Sequence, residues 1–271
     1  MSAVDREMGG NWWWLADALR SGAGMAAGDA WERWGCAATV LGIQFAVVTS
    51  LLTGLDLFNP PCWRRMILRS TRQESIPVVT VRRVARMMPI VLRTMAASAF
   101  YVWMLWNLRI AVNPARPLLS ASLDSHLWFP ISWLVQLVLI HWMSQLWFLS
   151  AHRTVHSLPA VYKFVHASHH VYSEPFALTA VDCTVSEMLI LNMPAVIFPL
   201  LILQPSLPVQ CIWVVLAASH VPLTHSGHLV AGGAAADAYH ALHHRYSNCN
   251  FGSAWLDKIA GTFREEFRLD S

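Results

Sequence analysis

The amino-acid sequence predicts an all-α membrane protein. Of the 271 residues, 55% are hydrophobic and only 13% are charged, a balance more apolar than that of an average soluble domain. The apolar residues come in long blocks, and a helix of about 20 such residues crosses a hydrocarbon layer of about 30 Å. We expect about four transmembrane helices, of which the last pair forms a hairpin.

Residues 1–35 are expected to form an N-terminal segment in the membrane interface. Their apolar stretch, Trp12–Leu19, is short and begins with three tryptophans, a residue type that favours the level of the lipid headgroups. The basic start and long apolar core of a cleaved signal peptide are not found in this stretch. We expect residues 36–271 to form a single membrane domain.

Three apolar blocks are long enough to span a membrane: Cys36–Phe58, Met88–Trp106 and Leu127–Leu149. The alternative, buried core helices of a soluble protein, is disfavoured because the blocks are apolar on all sides. Tryptophans also lie near their ends, as in membrane-interface belts: Trp103, Trp106, Trp128 and Trp147. We therefore predict three single spans here.

The charges between the first two blocks predict the orientation. The connection between these blocks, residues 59–87, contains seven arginines: Arg64, Arg65, Arg69, Arg72, Arg82, Arg83 and Arg86. Positive loops face the cytosol, so residues 107–126 are expected on the opposite side. The third span then returns the chain to the cytosol near Ser150. A nucleic-acid surface is an alternative use of these arginines, but no known binding motif accompanies them.

A fourth apolar region, Met188–Ser219, is too long for one span. It contains four prolines: Pro194, Pro199, Pro205 and Pro208. Proline interrupts helices, so we expect two shorter helical arms joined by a turn. Such a hairpin returns the chain to the side from which it entered, and the residues before and after it then share one compartment.

Eleven of the thirteen histidines lie between residues 152 and 244. They form four groups: HRTVH (His152, His156), HASHH (His166, His169, His170), HVPLTHSGH (His220, His225, His228) and HALHH (His240, His243, His244). In a helix, residues i, i+3 and i+4 lie on one face, so we expect each pair or trio with that spacing to turn its rings toward a common point.

Imidazole is a good ligand for iron, zinc and copper, and these rings exceed what one tetrahedral ion needs. We therefore expect two metal ions. The five cysteines form no CxxC pair and predict no thiolate zinc site. The isolated His126 and His141 are interpreted as ordinary polar residues near the headgroups.

Two other functions remain as alternatives. A histidine-lined metal transporter would place these residues along a path through the membrane, whereas the groups follow the ends of predicted spans. A bis-histidine haem protein of electron transfer needs only two axial ligands. Both explain fewer of the histidines than a pair of metal ions does.

The order of these groups resembles the membrane fatty acid hydroxylase/sterol desaturase superfamily over residues 150–263. The segment HRTVHSLPAVYKFVHASHH is similar to the superfamily pattern HRxxH…Y…HxxHH, and THSGH is similar to the HSGY-type element of its methylsterol oxidases. The segment HALHHRYSNCNFGSAWLDKIAGTF is similar to the closing HHxxxxxNYG…WDxxFGT block.

The resemblance implies a bundle of about four membrane helices under a cytosolic helical cap that holds a histidine-ligated dinuclear iron centre. Zinc can replace the two irons in a purified sample. It further implies O2 as co-substrate, an endoplasmic reticulum location, and electrons from NAD(P)H through cytochrome b5 and its reductase. The implied metal ligands are His152, His156, His166, His169, His170, His225, His228, His240, His243 and His244.

Several positions depart from the pattern or complete it. His228 stands where methylsterol oxidases have tyrosine, AVDCTVSE replaces an acidic and histidine-containing stretch, and Ala260 replaces an aromatic residue. Whether His220 is a ligand stays open, because it falls near the hairpin arm. Carboxylates that could receive the second N–H of a ligating histidine are Asp182, Glu187 and Asp237, with Glu174 as a further candidate. In NFGS, we expect Gly252 to serve a tight turn.

Two irons at a membrane surface suit the activation of O2 and attack on an unactivated C–H bond of a lipid. The expected product is an alcohol, a more oxidised group or an alkene. A sterol- or terpenoid-like substrate is favoured, and a fatty acyl chain or a sphingolipid remains an alternative. The sequence has no GxGxxG dinucleotide motif, so we expect the electrons to come from a partner protein.

Overall fold

The computed structural model describes residues 27–64, 79–112, 128–173, 175–227 and 234–264. Within these ranges the regular structure is entirely helical, as predicted. The helices are α1 (Ala27–Phe58), α2 (Pro61–Arg64), α3 (Val81–Val112), α4 (Phe129–Ser157), α5 (Pro159–Val165), α6 (Val185–Leu203), α7 (Leu207–Thr224), α8 (Ala234–Tyr246) and α9 (Ala254–Ala260). Two short 3₁₀ turns, His169–Val171 and Ala177–Val181, connect α5 to α6.

Five of the described helices are long and apolar enough to cross a membrane, compared with the expected total of about four. They comprise Thr39–Phe58 of α1, Val81–Leu105 of α3, Pro130–Ser157 of α4, and the whole of α6 and α7. All five helices extend beyond the predicted blocks. Helix α4 continues past Leu149 to Ser157, and α3 begins before Met88, so that Arg82, Arg83 and Arg86 are helical.

The predicted hairpin consists of α6 and α7. Its turn lies at Gln204, which has a positive φ of 48°, and the backbone N–H of Ser206 donates to Gln136 of α4. We expected Pro194 and Pro199 to interrupt the helix, but both lie within α6. A π-helical stretch, Met188–Asn192, ends two residues before Pro194, which has no backbone N–H to donate to the preceding turn.

Polar contacts hold the bundle at defined positions. Helix α1 packs along α7, where the side chain of Gln44 donates to Ser219 over 3.0 Å. Helix α3 contacts the turn Ala177–Val181, where the hydroxyl of Thr94 donates to the carbonyl of Val181 over 3.1 Å. Helix α4 packs against α6. These contacts bring the carboxyl ends of α4 and α7 and the start of α6 to the same end of the bundle.

Large apolar side chains cover much of the outer surface of the long helices. Leu51 is 64% exposed, Leu92 is 63% exposed and Leu134 is 62% exposed. Exposure of such side chains to water has an unfavourable free energy, whereas exposure to the hydrocarbon of a membrane does not. The interior is also apolar between α4, α6 and α7, with Ile140, Leu200 and Val209 fully buried.

Some predicted features lie outside the described residues. These are the apolar stretch Trp12–Leu19, residues 65–78 with three of the arginines, His126, Glu174 and His228. Asp237 belongs to α8, but its side chain lies outside the described part as well.

Candidate metal centre

Nine histidines converge on two points at one end of the bundle. The first group contains His152, His156, His166, His170 and His243, and the second group contains His169, His225, His240 and His244. Within each group, one ring nitrogen per histidine lies within 4.8 Å of the corresponding nitrogens of the others. Each group could therefore hold one metal ion.

Four separate segments supply these rings. His152 and His156 lie one turn apart in the last two turns of α4, and His225 follows the end of α7. The HASHH segment follows α5 as a turn that leads into the first 3₁₀ turn. The three histidines of HALHH lie in the second half of α8.

The trios do not each point to one place, and that part of the sequence prediction is wrong. His166 and His170 join the first group, whereas His169 joins the second. In α8, His243 joins the first group while His240 and His244 join the second. Neighbouring residues of a helical turn differ by about 100° in direction, or about 120° in a 3₁₀ turn, so adjacent histidines serve different groups.

Within each group, the Nε2 atoms of neighbouring rings face one another at similar distances. In the first group, these distances are 2.9 Å from His152 to His166, 3.0 Å from His166 to His170 and 3.0 Å from His170 to His243. In the second, they are 3.1 Å from His169 to His225, 3.0 Å from His225 to His240 and 3.2 Å from His240 to His244. Two nitrogens about 2.1 Å from one ion at a right angle would be about 3.0 Å apart, so this donor set fits a shared ion.

The opposite nitrogens are anchored by backbone carbonyls. The Nδ1 atoms of His152, His243 and His225 lie 2.8, 2.7 and 2.8 Å from the carbonyl oxygens of Phe251, Cys249 and Val221. A carbonyl oxygen only accepts, so each Nδ1 carries the proton and donates. The lone pair of each ring is then on Nε2, which faces the neighbouring histidines. This is the tautomer that binds a metal through Nε2.

Burial keeps the rings outside the membrane helices neutral. It lowers the pKa of His170 and of His225 to about 4, well below the ordinary value for histidine. Burial, followed by repulsion from the neighbouring rings, also lowers the pKa of His169, His243 and His244. His156 adds a buried Nε2 that has no hydrogen-bond partner among the described residues. An unpaired, neutral nitrogen of this kind is available to a metal ion.

Glu187 at the start of α6 lies between the two groups. Its side chain is 2% exposed, with Oε2 at 3.0 Å from Nδ1 of His166 and Oε1 at 4.0 Å from Nδ1 of His169. Thr184 accepts from the backbone N–H of Glu187 and donates to the carbonyl of Val165, which fixes this carboxylate relative to the end of α5. The carboxyl group of Glu187 thus lies beside one histidine of each group, closer to His166 than to His169.

Asp182, a second predicted carboxylate, accepts a hydrogen bond of 2.5 Å from the hydroxyl of Tyr172. Burial and this bond to Asp182 raise the pKa of Tyr172 to about 12, so its hydroxyl stays a donor. The guanidinium of Arg83 stacks 5.2 Å from the Tyr172 ring and 4.9 Å from the Phe176 ring. The amino end of α3 therefore contacts the segment that follows the HASHH histidines.

A turn after α8 supplies the carbonyls that orient His152 and His243. Asp257 of α9 is fully buried and holds this turn through four donors: the backbone N–H groups of Phe251 (3.0 Å) and Gly252 (2.7 Å), and the hydroxyls of Thr262 (2.5 Å) and Tyr239 (2.5 Å). Burial and the bond to Asp257 raise the pKa of Tyr239 well above its ordinary value. The carboxylate therefore accepts from a protonated phenol.

Asn250 completes the turn with a positive φ of 58°, and its side chain bonds to the backbone of Tyr239 and Arg264.

Gly252 is needed for a different reason than the one expected. A Cβ atom at Gly252 would lie 3.0 Å from Cβ of Leu149, so the turn passes directly against α4. The sequence prediction did not assign these contacts to Asn250, Tyr239 and Asp257. Only the similarity of the closing block pointed to this region.

Other histidines lie apart from the two groups. His220 belongs to α7, one turn before His225, and is a member of neither group. His141 lies in the middle of α4, where its ring centroid is 6.4 Å from that of Trp213.

Comparison with known proteins points to the same part of the chain. Residues 136–262 match the family model of the fatty acid hydroxylases, a range that contains all nine histidines of the two groups. The chain is 31% identical over 150 residues to methylsterol monooxygenase erg25B of Aspergillus fumigatus, which covers 49% of this chain and 50% of that protein. These residues of the chain are therefore similar to the fatty acid hydroxylase/sterol desaturase superfamily.

The other relatives differ in the reaction that their names give. The chain is 30% identical over 156 residues to Delta(7)-sterol 5(6)-desaturase ERG3B of Gibberella zeae (54% of this chain, 46% of that protein). It is 30% identical over 126 residues to fatty acid hydroxylase ahd1 of Mycosarcoma maydis (46% and 31%). The chain spans about half the length of the first two relatives, and no solved structure matches it significantly.

Replacing Asp257 by asparagine is expected to destabilise the cap and to lower the metal content. The amide presents N–H groups to donors that now share a carboxylate, and lost hydrogen bonds to a charged group cost about 3 kcal/mol in total. Thermal unfolding in detergent and metal analysis check this. Asp182→Asn is the matched control, because asparagine can still accept from Tyr172 and a smaller effect is expected. Equal stability of both variants would contradict the role given to Asp257.

Replacing Glu187 by alanine is expected to weaken metal binding in both groups, by about 10- to 100-fold, because His166 and His169 lose the carboxylate that they face. Titration of the metal-free protein with Fe²⁺ or Zn²⁺ measures this. Ser186→Ala, one residue earlier, serves as the control. Weakening of only one of the two binding steps would show that Glu187 serves a single group.

Proposed function

We propose that the chain is a membrane-bound, non-haem di-iron oxygenase that uses O2 to hydroxylate, oxidise or desaturate a C–H site of a hydrophobic lipid. The observation that carries this proposal is the pair of adjacent all-imidazole groups at the end of an apolar helix bundle. The names of the relatives, a sterol monooxygenase, a sterol desaturase and a fatty acid hydroxylase, support oxidation of a lipid.

Iron fits both the imidazole donors and the oxidation reactions that the relatives' names give. Neutral imidazole binds iron, zinc and copper, and zinc has no redox chemistry with which to activate O2. When bound, two irons supply the reductive activation of O2 and the attack on an unactivated C–H bond. The first group would hold one iron with five rings, and the second group would hold the other with four.

The protein's own part is to keep these rings neutral, oriented and dry. The carbonyls of Phe251, Cys249 and Val221 hold the Nδ1 protons, so the Nε2 lone pairs stay directed into the site. His152 is 1% exposed and His243 is completely buried, so bulk water does not reach these rings. Excluding water protects a reactive oxidant from side reactions.

The apolar helices would bring the lipid to this site from the bilayer. A sterol- or terpenoid-like substrate is favoured by the sterol enzymes among the relatives, and a fatty acyl chain or a sphingolipid is supported by the fatty acid hydroxylase. Such lipids are already dissolved in the membrane beside α1, α3 and α4. The choice among alcohol, more oxidised product and alkene depends on how the bound carbon is held.

We place the histidine site on the cytosolic side, in the membrane of the endoplasmic reticulum. Arg83 contacts Tyr172 and Phe176 in the segment that follows the first 3₁₀ turn, so the arginine-rich end of α3 and the histidine groups lie at the same end of the bundle. Arginines close to a span favour the cytosolic side. Cytosolic reductases can reach a site with this orientation.

The electrons are proposed to come from NAD(P)H through a cytochrome b5 and its reductase. Arg82 and Arg86 at the start of α3 are exposed, and cations at this position would attract an acidic partner surface. Arg83 is less suited to docking, because its guanidinium stacks on two aromatic rings. The proposed docking surface therefore consists of Arg82 and Arg86.

His169→Ala and His243→Ala, one residue from each group, are expected to lower turnover by at least about 100-fold, because each removes a metal bond. Both variants should still enter the membrane, and each should lose about one of the two metal ions. Lipid products formed by cells that supply a reductase system, together with metal analysis, check this. His141→Ala is the control and should keep both metals. Full turnover and metal content in both ligand variants would overturn the assignment.

Reversing the charges of Arg82 and Arg86 to glutamate is expected to lower partner-dependent turnover about tenfold at low salt, because an acidic partner would then be repelled. Turnover driven by a chemical reductant should not change. Lys163→Glu on α5 is the control for a general effect of charge. The docking surface is refuted by an unchanged rate with the protein partner.

A further inference from the structure

Arg93 is a charged residue within an apolar helix. It lies in Val81–Leu105, the part of α3 that is long and apolar enough to cross a membrane, and its side chain is exposed. Its Nη2 atom donates to the backbone carbonyl of Cys183 over 3.1 Å. Among the described residues, Arg93 forms no ion pair. Arginines in membrane spans usually pair with other groups, and a single carbonyl leaves the charge of Arg93 unbalanced.

The position of Arg93 along α3 matches the level of the lipid headgroups. The arginines of residues 82–86 lie nearer the amino end of the helix, and residues 94–108 contain no charged side chain. The next charged residue, Arg109, follows Arg93 by 16 positions, or about 24 Å along a helix. Arginine side chains extend toward the membrane surface, so this spacing suits a hydrocarbon layer of about 30 Å. Arg93 therefore marks the boundary of this layer on the histidine side.

The contact with Cys183 holds the guanidinium at this level. A free arginine side chain near a membrane surface turns toward water, whereas this one is attached to the segment before α6. Thr94 donates to the same segment, at the carbonyl of Val181. A guanidinium has five N–H groups, and the contact with Cys183 uses one nitrogen. The other donors of Arg93 remain for a ligand at the exposed surface of α3.

The surroundings of Arg93 select an anionic amphiphile. Leu92, next to Arg93, is exposed, and so is Phe100, which lies two turns later on the same face of α3. Such a surface suits acyl chains, while a guanidinium binds a phosphate through paired hydrogen bonds. A phospholipid has both parts in this order. An acidic protein in the cytosol would instead meet Arg82, which lies about 16 Å closer to the amino end.

We propose that Arg93 binds the phosphate of an anionic phospholipid in the leaflet on the histidine side, and that this lipid stabilises the start of α6. The phosphate would balance the guanidinium that holds the carbonyl of Cys183. The next residue, Thr184, donates to the carbonyl of Val165 and accepts from the backbone N–H of Glu187. Glu187 lies beside both histidine groups. The bound phospholipid is a structural ligand, distinct from the lipid that the proposed oxygenase would oxidise.

Lipid binding to the full-length protein in detergent tests the proposal. Three probes share two oleoyl chains: dioleoylphosphatidylglycerol has a phosphate and a net negative charge, dioleoylphosphatidylcholine has a phosphate and a balancing cation, and dioleoylglycerol has neither. Native mass spectrometry measures the lipid that stays bound, and thermal unfolding measures stabilisation. We expect the unchanged protein to bind phosphatidylglycerol about tenfold more tightly than dioleoylglycerol and to unfold at a higher temperature in its presence. Phosphatidylcholine should bind with intermediate affinity.

Variants of Arg93 locate the site. Arg93→Gln should remove most of the preference for phosphatidylglycerol, because glutamine keeps a donor for Cys183 but not the charge. Arg93→Lys should keep part of it, because lysine retains the charge but not the paired donors. Arg82→Gln is the control and should bind phosphatidylglycerol like the unchanged protein.

Two outcomes would overturn the proposal. One is equal affinity of the unchanged protein for phosphatidylglycerol and dioleoylglycerol, a comparison that needs no variant. The other is a preference in either Arg93 variant that equals the preference of the unchanged protein. Because lipid binding involves no turnover, neither outcome depends on whether the protein proves to be an oxygenase.

Discussion

The convergence of nine neutral imidazoles on two points is the constraint on which the rest of the structure depends. Their Nε2 atoms approach one another to about 3 Å, while the Nδ1 protons of three rings are bound by carbonyls on the outside. Lone pairs that face each other in a buried site are unfavourable without a cation between them. In the proposed centre, ions would join α4, the HASHH turn, the end of α7 and α8, and metal binding would contribute directly to the folding of the cap.

Buried contacts around the histidines connect the two groups to other parts of the chain. Asp257 fixes the turn whose carbonyls orient His152 and His243, and Glu187 links the HASHH turn to α6. Both side chains are almost completely buried. Asp257 acts through the turn on histidines of α4 and α8, whereas Glu187 lies directly beside two histidines of the HASHH segment. The geometry of the centre is thus determined by buried contacts of the cap and the helix ends, which leaves the outer faces of the membrane helices to the lipid.

The histidine spacing predicted the residues of the site better than it predicted their arrangement. Each of the nine histidines was predicted as a ligand candidate, because that many clustered imidazoles have few other uses. Their division into groups depended on the direction of each ring, and adjacent residues such as His169 and His170 diverge in a way that helical periodicity alone did not reveal. The turn at Asn250 was expected, but the contacts of Asn250 and Asp257 were not, because they are tertiary contacts with Tyr239 and with the backbone. The helix boundaries differed for a related reason: hydropathy marks the apolar core of α4, whereas the helix continues into the polar, histidine-bearing turns that the metal site needs.

Metal analysis combined with X-ray absorption spectroscopy of protein purified without oxygen tests the central claim most directly. We predict two iron ions per chain, each surrounded by nitrogen ligands at about 2.1 Å, with a second iron in the neighbourhood of the first. A single metal ion per chain, sulfur ligation, or the Soret band of a haem would contradict it.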